Sequence, residues 1–368
     1  MRFAVFSHVP HYIDKNKYYA YSPYVREINV WSKYVDTLVI IAPVKKKISQ
    51  IDIDYSLKST DFVYLNGLNF TSFKKAIFSI YALPLNVRRI FLEMRKADHI
   101  HVRCPGNIGL IALLVQVLFP KKKKTVKYAG NWDPKSKQPF SYRFQKWLIK
   151  SKFLTRNTKV LVYGKWKDQR ENIISFFTAS YSESERENIV KVFEPSFNFV
   201  FVGSLIEGKR TKLAINVIEE LLSKKYRVHL DIYGDGELLE EIESIIKNKN
   251  LKKKIKLHGN HNADVIKSAY KEAHFSILPS KSEGWPKALA EAMFFGCVPI
   301  GTEVSCIPWM LGDGERGILV KPEKVNASKK IEEFLNDPKI LARMSDESLK
   351  WSQKYTLERF EKEIRKLI

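Results

Sequence analysis

Short apolar runs alternate with helical patterns along most of the chain. Apart from Arg2, residues 2–6 and 38–42 are all apolar, which indicates parallel strands that are covered on both faces. Between them, Ser22-Pro23 begins a helical pattern that continues to Trp31. The same alternation predicts further strands at 99–103, 125–128 and 160–163, and helices at 72–97, 108–119 and 140–154.

The second half of the chain begins this alternation again, after a polar connecting stretch at 178–197. It predicts strands at 199–203, 228–233, 255–259, 275–279, 298–301 and 317–320, and helices at 211–224, 237–247, 262–272, 287–295 and 326–335. Two sets of alternating strands and helices predict an α/β fold with two Rossmann-like doubly wound domains that face each other across a cleft. Ligands of such domains bind at the carboxyl ends of the strands.

Composition narrows the class of protein. The 368 residues include only three cysteines, without metal-ligand spacing, which favours a reducing compartment. The first residues predict a strand rather than a signal peptide, and no apolar run reaches the roughly 20 residues of a membrane span. We therefore expect a cytoplasmic protein.

Charge is distributed unevenly. Residues 1–197 carry 34 Lys and Arg against 15 Asp and Glu, whereas residues 198–368 carry 29 against 25. Basic clusters lie at 45–47, 88–89, 95–96 and 121–124. They are compatible with nucleic acid, an anionic membrane surface or a negatively charged substrate, and also with a merely solubilising surface. The amphipathic helix predicted at 72–97 is a candidate membrane-surface element or an ordinary surface helix.

Candidate chemistry is concentrated where the strand at 275–279 gives way to the next helix. Glu283 lies in the loop, and Glu291 follows about two turns into the helix. Pro286 suits the first helical position, where its missing N–H costs nothing. The free N–H groups of this helix start can hold an anion, so we expect a phosphate-bearing ligand that also has hydroxyl groups.

Four segments of the second half, in this order and spacing, resemble the retaining nucleotide-sugar glycosyltransferases of the GT-B fold, in the large family numbered four (glycosyl transferases group 1). The segments are Phe201-Val202-Gly203-Ser204-Leu205 with Lys209, Ile232-Tyr233-Gly234-Asp235-Gly236-Glu237, Leu257-His258-Gly259-Asn260, and Leu278 through Glu283 and Glu291 to Val320. The resemblance is specific over residues 199–360. It extends to the first half only as an alternation of strands and helices.

The resemblance implies a role for each matching residue. Lys209 would bind the diphosphate, Glu283 the hydroxyls of the donor sugar, and Glu291 those of the nucleotide ribose. The family's N-domain often offers a His to the donor sugar, and the matching turn here suggests Asn131 or Asp133 as its replacement. Trp132, in the same turn, would either contribute to the site or simply pack. The other predicted donor-binding residues are Gly203, Ser204, Arg210, Tyr233, Gly234, Asp235, Gly236, Gly259, Asn260, His261, Gly284, Trp285, Pro286 and Lys287.

The sequence departs from the family where Ser204 replaces an Arg, so Arg210 is the candidate for the missing cation. His8 and His11, in the first loop, would either face the acceptor or be ordinary loop residues. No metal is expected. Asp52 and Asp54 have the spacing of metal-dependent transferases but lie far in sequence from the donor segments. Lys209 and the helix dipole could perform the task of a metal.

The resemblance implies three regions: an acceptor-binding domain at 1–190, a nucleotide-sugar-binding domain at 198–340, and a C-terminal helix at 341–368 that crosses back to the first domain. We expect a retaining glycosyltransferase, peripheral at the inner face of the cell membrane. It would act on a lipid-linked or other glycan acceptor in cell-surface polysaccharide or lipopolysaccharide biosynthesis, with no nucleic acid partner.

Two alternatives remain open at this point. A nucleotide-sugar epimerase of the same architecture would convert its substrate without transferring sugar. A basic nucleic-acid-binding protein would bind oligonucleotides with a steep salt dependence, but the basic residues are not interleaved with a recognisable RNA or DNA motif.

Overall fold

The computed structural model describes residues 1–49, 51–69, 71–167 and 169–368. The chain divides into two compact units. Unit 1 comprises Met1–Gly130, Lys137–Phe176 and Phe360–Ile368, and unit 2 comprises Asn131–Ser136 and Phe177–Arg359. The chain thus enters unit 2 at Phe177, earlier than the predicted boundary at 190, and Tyr181 already packs on Phe294 and Phe295 of that unit.

Unit 1 is built around a seven-stranded parallel sheet. Its strands and helices are β1 Arg2–Phe6, β2 Tyr12–Asp14, β3 Lys17–Tyr21, α1 Ser22–Ser32, β4 Thr37–Pro43, β5 Asp52–Asp54, β6 Thr60–Leu65, α2 Phe73–Lys96, β7 His99–Cys104, α3 Asn107–Val115, β8 Lys123–Tyr128, α4 Phe140–Lys150, β9 Thr158–Tyr163 and β10 Ile173–Phe176. The strand order is β10-β9-β8-β7-β1-β4-β6. The apolar side chains of β1 and β4 are buried, as their uninterrupted apolar runs predict.

A small antiparallel sheet, β2-β3-β5, occupies a region where the sequence predicted only a polar loop. It fixes His11, which is fully buried, with its ring stacked on Tyr55 at 5.8 Å and Nε2 2.7 Å from the Tyr55 hydroxyl. The suggestion that His11 faces an acceptor is therefore wrong. On β5, Asp52 accepts hydrogen bonds from Lys45 Nζ (2.5 Å) and the Ser49 amide (2.6 Å).

Unit 2 contains the second parallel sheet. Its elements are β11 Phe197–Val202, α5 Thr211–Ser223, β12 Val228–Tyr233, α6 Leu239–Asn248, β13 Ile255–Gly259, α7 Ala263–Glu272, β14 Phe275–Leu278, α8 Lys287–Phe294, β15 Val298–Thr302, α9 Ile307–Met310, β16 Ile318–Val320, α10 Lys324–Leu335 and α11 Pro338–Ser352. The order β13-β12-β11-β14-β15-β16 places the topological switch between β11 and β14. In an open α/β sheet this is where a ligand is expected.

The region predicted as one helix at 341–368 consists of two. The first, α11, packs on α8 within unit 2, and the second, α12 Leu357–Arg365, passes into unit 1 at Phe360. In unit 1, Glu361 accepts hydrogen bonds from Lys33 Nζ (2.6 Å) and the Tyr34 hydroxyl (2.8 Å). Among the described residues, no helix combines the length and the apolar character needed to cross a bilayer.

Candidate functional site

The candidate site of unit 2 lies at the carboxyl ends of β11 and β14, on the two loops that flank the switch point. The loop after β11 contains a short 3-10 turn, Glu207–Lys209, and the loop after β14 leads to α8. The Lys281 amide donates to the Gly208 carbonyl at 2.8 Å, so the two loops are joined through their backbones. The fold therefore brings together two segments that lie about 70 residues apart in sequence.

An ion pair links the two predicted central residues across these loops. Lys209 Nζ lies 2.6 Å from Glu283 Oε1, with the Lys209 side chain 26% exposed and that of Glu283 only 7% exposed. A carboxylate this deeply buried needs a charged or hydrogen-bonding partner to remain ionised at low cost. The pair therefore holds a charged group of each sign at the head of α8.

Arg210 bridges the same two loops. Its backbone is left-handed, with φ of 52°, and it occupies the N-cap of α5. Its Nη1 atom lies 3.5 Å and 3.4 Å from the carbonyl oxygens of Pro279 and Ser280. The guanidinium is therefore placed beside Lys209, while Ser204, which stands where the family has Arg, is exposed. This position fits Arg210 as the replacement cation.

The Gly-Asp-Gly turn after β12 packs tightly against the loop after β11. A Cβ atom on Gly234 would lie 1.9 Å from the Gly203 carbonyl oxygen, and one on Gly236 would lie 2.5 Å from that of Leu205. The Leu205 amide donates to the Asp235 carbonyl at 2.9 Å, and Asp235 Oδ1 accepts from the Gly236 amide at 2.7 Å. Glycine is thus required at 234 for a close backbone approach that shapes this side of the site.

Helix α8 begins at Lys287, so Pro286 occupies the N-cap rather than the predicted first helical position. No side chain among the described residues caps this helix start with a hydrogen bond. The Gly284 carbonyl accepts from Ser305 Oγ (3.3 Å) and Cys306 Sγ (3.1 Å), which fixes the loop. The start of α8 therefore has amide groups without a side-chain cap, and the loop that leads to it is fixed by hydrogen bonds. This arrangement suits the binding of an anion.

Trp285, which was expected to offer its backbone N–H to the donor phosphates, has its ring buried in an aromatic cluster. The indole is 7% exposed, stacks on Trp351 at 6.2 Å, and meets Tyr355 edge-on at 5.6 Å and Trp309 at 6.2 Å. Trp351 and Tyr355 follow from α11, so the ring anchors the Glu283 loop to the C-terminal part of unit 2. Only the backbone of Trp285 is therefore available to contact a ligand.

Glu291 projects from α8 into a polar environment. Its Oε1 atom accepts a 2.5 Å hydrogen bond from Ser180 Oγ and lies 3.9 Å from Lys287 Nζ, and the side chain is 20% exposed. Burial, and secondarily the charge of Glu291, raises the pKa of the Tyr181 and Tyr270 phenols above the usual range. The Glu291 carboxylate therefore lies near the neutral phenols of Tyr181 and Tyr270, and the Ser180 hydroxyl orients one of its oxygens.

The turn that follows β8 also belongs to unit 2. Asn131 Nδ2 donates to Ser282 Oγ at 3.1 Å, which places Asn131, 8% exposed, beside the residue that precedes Glu283. Asp133 Oδ1 accepts from the Lys135 amide at 2.8 Å and so shapes its own turn. Trp132 is buried, which fits the packing alternative for this residue. Of the two predicted polar candidates, the geometry favours Asn131.

Aromatic rings border the other side of the site, at the ends of β12 and β13. Tyr233 and His258 stack at 4.4 Å with an interplanar angle of 9°, and His261 meets Tyr233 edge-on at 5.7 Å. His258 Nε2 lies 2.7 Å from Asp231 Oδ1. Gly259 continues the strand end with φ of +73°, and Asn260 is exposed beside it. A planar ligand group has a stacking surface here.

Sequence reasoning missed Ser180 and Ser282. Each is a serine whose importance arises from a contact with a residue more than 100 positions away, Glu291 and Asn131 respectively. Single serines outside a spacing motif give no signal in one sequence. The site as a whole alternates cations with carboxylates around an uncapped helix start, which suits a ligand that carries both phosphates and hydroxyls.

Comparison with known proteins places this site in a family context. Residues 183–351 match the model of the family described as glycosyl transferases group 1. An uncharacterized glycosyltransferase of Methanocaldococcus jannaschii is 27% identical over 59% of this chain and 61% of its own length. The capsular polysaccharide biosynthesis glycosyltransferase CapH of Staphylococcus aureus is 30% identical over 58% of this chain and 61% of its own. The chain thus spans about three fifths of the length of these relatives.

A third relative, from Campylobacter jejuni, is named as an α-1,4-N-acetyl-D-galactosaminyltransferase acting on a diphospho-undecaprenol-linked glycan; it is 28% identical over 42% of this chain and 41% of its own. Among solved structures, sucrose-phosphate synthase from Thermosynechococcus elongatus aligns over 100% of this chain and 98% of its own, with 14% identity and a TM-score of 0.69. Anabaena HepE in complex with UDP aligns over 99% and 98%, with 13% identity and a TM-score of 0.69. These likenesses confirm the α/β GT-B fold.

Proposed function

With residues 183–351 belonging to the glycosyl transferases group 1 family as the premise, we propose that this chain is a glycosyltransferase that moves a sugar from a nucleotide-sugar donor to a glycan acceptor. The observation that carries the proposal is the Lys209–Glu283 pair, held at 2.6 Å across the switch point at the head of α8. It supplies one group for a phosphate and one for sugar hydroxyls at the place where the fold expects a ligand.

In the proposed reaction the bond between the donor sugar and the diphosphate breaks, and the leaving diphosphate gains negative charge. Lys209, Arg210 and the amides at the start of α8 would stabilise that charge as it develops. The cations are fixed before reaction by their contacts with Glu283 and with the carbonyls of Pro279 and Ser280, which limits reorganisation. The proposal includes no metal ion, because these groups supply the positive charge.

The remaining donor contacts follow from the two carboxylates and the aromatic rings. Glu283 would accept hydrogen bonds from the donor sugar hydroxyls, with Asn131 close by through its contact with Ser282. Glu291 would accept from the ribose hydroxyls, and the stacked rings of Tyr233 and His258 would border the base. These roles fit carboxylates that accept hydrogen bonds from a polyhydroxylated ligand.

The stereochemical course and the acceptor form the finer part of the proposal. Retention of the anomeric configuration is supported by the resemblance of the four donor segments to retaining enzymes. A lipid-linked, anionic acceptor in cell-surface polysaccharide synthesis is supported by the names of the Staphylococcus and Campylobacter relatives and by the basic first half of the chain. Work on such an acceptor would place the protein peripherally at the inner face of the cell membrane.

Acceptor-independent hydrolysis of nucleotide sugars offers a test that needs no knowledge of the acceptor. The full chain is incubated with UDP-, GDP-, ADP- and dTDP-sugars, and release of the nucleoside diphosphate is measured together with the anomer of the freed sugar. We expect slow hydrolysis of one nucleotide class with retention. Epimerised donor without free nucleoside diphosphate would contradict the proposal, and so would the absence of turnover of every donor together with the absence of nucleotide binding.

A further inference from the structure

Between Phe73 and Val87, helix α2 buries polar side chains and exposes apolar ones. Ser79 and Asn86 are buried, where Ser79 Oγ accepts from the Asn69 amide at 2.8 Å and Asn86 Oδ1 accepts from the Asn66 amide at 3.0 Å. The apolar side chains instead face outward, and the most exposed are Phe73 (82%), Phe78 (75%) and Tyr81 (80%). A helix that buries hydrogen-bonded polar groups and exposes aromatic rings is built to meet another apolar phase.

Helix α4 carries a second exposed aromatic row. Phe140 stacks on Phe144 at 6.4 Å and 11°, and Phe144 stacks on Trp147 at 5.6 Å and 18°. Phe140 is 74% and Trp147 is 60% exposed, and Phe153, just beyond the helix, is 72% exposed. The rings are already ordered by one another, so their contact with a partner costs little conformational entropy.

Both rows lie on the same face of the unit 1 sheet. The connections β6-α2-β7, β7-α3-β8 and β8-α4-β9 all step in one direction along the strand order. With right-handed crossovers, helices that step in one direction pack on one face of the sheet. Helix α3 contacts both α2 and α4 and exposes Leu114 between them. We name Phe73, Phe78, Tyr81, Phe140, Trp147 and Phe153 the aromatic face.

The charge around the aromatic face has one sign. Helix α2 carries six Lys and Arg, α4 carries three and α3 none, and seven of these nine side chains are exposed. The three helices contain a single carboxylate, Glu93, which is buried and paired with Arg2 Nη2 (3.0 Å) and Lys96 Nζ (2.8 Å). A partner of this face must therefore be anionic and must accept aromatic side chains.

We propose that the aromatic face docks on the surface of an anionic phospholipid bilayer, with the rings at the level of the headgroups and the cations on the lipid phosphates. Aromatic rings flanked by Lys and Arg are the arrangement that the membrane interface favours. A second copy of the chain would bring two positively charged faces together, which disfavours a dimer through this surface. Nucleic acid would satisfy the cations but leave Ile77 and Ile80, 38% and 61% exposed, without an apolar environment.

The structure separates this face from a basic cluster that the sequence singled out. Lys122 Nζ donates to the carbonyls of Arg95 (2.8 Å) and Ala97 (2.6 Å), and Lys124 is 2% exposed. These lysines serve unit 1 internally, so the lipid contact is assigned to α2 and α4. Membrane docking would bring the site of unit 2 to a lipid-linked acceptor, and only this explanation of its use rests on the proposed function.

The test is co-sedimentation of the full chain with vesicles of phosphatidylcholine that contain about 30% phosphatidylglycerol, against vesicles of phosphatidylcholine alone. We expect binding to the anionic vesicles, at least about tenfold weaker binding for Phe73→Ser/Phe78→Ser and for Phe140→Ser/Trp147→Ser, and a loss of similar size for Lys74→Glu/Lys75→Glu. The matched control is Val190→Ser/Val325→Ser, which removes apolar side chains that are 81% and 66% exposed in unit 2.

Failure of the wild-type chain to bind anionic vesicles, or equal binding by the aromatic-face variants and the control, would overturn the inference. So would a wild-type dimer that dissociates in these variants, because the face would then be a subunit interface. Nucleotide-sugar hydrolysis in solution is measured on every variant and is expected to be unchanged. A chain that binds vesicles but neither hydrolyses a donor nor binds a nucleotide contradicts the proposed function alone. A chain that hydrolyses a donor but does not bind anionic vesicles contradicts this inference alone.

Discussion

In the proposed reaction, Lys209 is the residue on which the donor chemistry depends most. It is the cation that contacts Glu283, and it is 26% exposed, so a ligand can reach it. In Lys209→Met the aliphatic stem remains and the charge is lost, so we expect donor hydrolysis to fall by about 100-fold or more, the usual cost of losing a group that stabilises a leaving anion. The melting temperature is measured alongside and is expected to fall, because Glu283 loses its buried partner, so rates are compared at a temperature at which both proteins are folded.

The matched control for Lys209 is Lys212→Met, one turn further along the chain. Lys212 pairs with Glu207 at 3.0 Å and Glu241 at 2.7 Å on the exposed side of α5. We expect it to leave hydrolysis at the wild-type rate. Equal rates for Lys209→Met and Lys212→Met would show that Lys209 does not contact the leaving group.

The role of Glu291 can be tested by measuring the affinity for a ligand, without measuring a reaction rate. In Glu291→Gln the Ser180 contact can remain while the charge is lost, so a ribonucleotide loses two charge-assisted hydrogen bonds. We expect the dissociation constant of the preferred nucleoside diphosphate to rise by about tenfold or more, and that of its 2′,3′-dideoxy analogue to stay nearly unchanged. Calorimetric titration measures both, and an equal loss for the two ligands would exclude a ribose contact.

Single residues also show where sequence reasoning reached its limit. Asn131 was selected because it occupies the turn where the family offers a His, and the structure places it against Ser282. Trp285 was selected as part of the helix start that offers N–H groups, and nothing in the sequence indicated that its side chain lies among Trp309, Trp351 and Tyr355. Position in a motif identifies a loop, whereas the direction of a side chain depends on packing partners that are distant in sequence.

At the scale of elements, the loops that follow β11 and β12 act as one structure. The Gly234→Ala variant would place a Cβ 1.9 Å from the Gly203 carbonyl oxygen, so the two loops must separate. We expect it to lower the free energy of unfolding by about 2 kcal/mol or more and to weaken nucleotide binding. Chemical denaturation provides the measurement.

A substitution at a second glycine distinguishes the effect of the steric clash from the effect of backbone strain. Gly314 also has a positive φ, of +108°, but a Cβ there would meet nothing within 4 Å. Gly314→Ala is expected to cost about 1–2 kcal/mol through its conformation alone and to leave nucleotide binding unchanged. If both variants bind nucleotide like the wild-type chain, the close approach at Gly234 does not shape the site.

Helices and strands were predicted well where the hydrophobic pattern follows a single period, helical or extended. The helix expected at 72–97 is α2, Phe73–Lys96, but periodicity alone cannot tell which face is buried, and here the polar face packs inward through Ser79 and Asn86. The sheet β2-β3-β5 escaped prediction because its strands have three to five residues and consist mostly of Tyr, Asp and Lys, without an apolar run. Such short strands depend on tertiary pairing rather than on a local pattern.

At the scale of the whole molecule, buried histidines couple the stability of unit 1 to pH. Burial lowers the pKa of His11 to about 4 and that of His99 to about 3, and lowers the pKa of His101 further below its usual range. Unfolded histidines titrate near 6.5, so the unfolded chain binds more protons below that pH. Stability is therefore complete above about pH 7 and falls as the pH drops through 6.5 towards 4.

Three such histidines predict a loss of roughly 4 kcal/mol of unfolding free energy per pH unit between about pH 6 and 4, before the carboxylates contribute. Urea denaturation at pH 7.5, 6 and 5 checks this slope. His11→Gln, which retains hydrogen-bonding groups on the side chain, is expected to make the slope shallower by about a third. A slope that is the same in both proteins would mean that His11 is protonated in the folded state.

The two halves of the chain differ in how much their sequence reveals. The matched family region, residues 183–351, covers the half that is proposed to bind the donor, where four ordered segments identify the loops of unit 2. The first half carries most of the positive charge, but a count of charges does not show which lysines reach the surface. Lys122 and Lys124 illustrate this, since one bonds to backbone carbonyls and the other is buried.

Nucleotide binding by the full chain tests the central claim most directly. Calorimetric titration with UDP, GDP, ADP and dTDP is performed on the wild-type chain and on Lys209→Met. We expect one nucleoside diphosphate to bind and to raise the unfolding free energy by about 2.7 kcal/mol at a hundredfold excess over its dissociation constant, with affinity lost in the variant. If no nucleotide binds the wild-type chain, or if the variant binds as tightly, unit 2 is not the donor site that we propose.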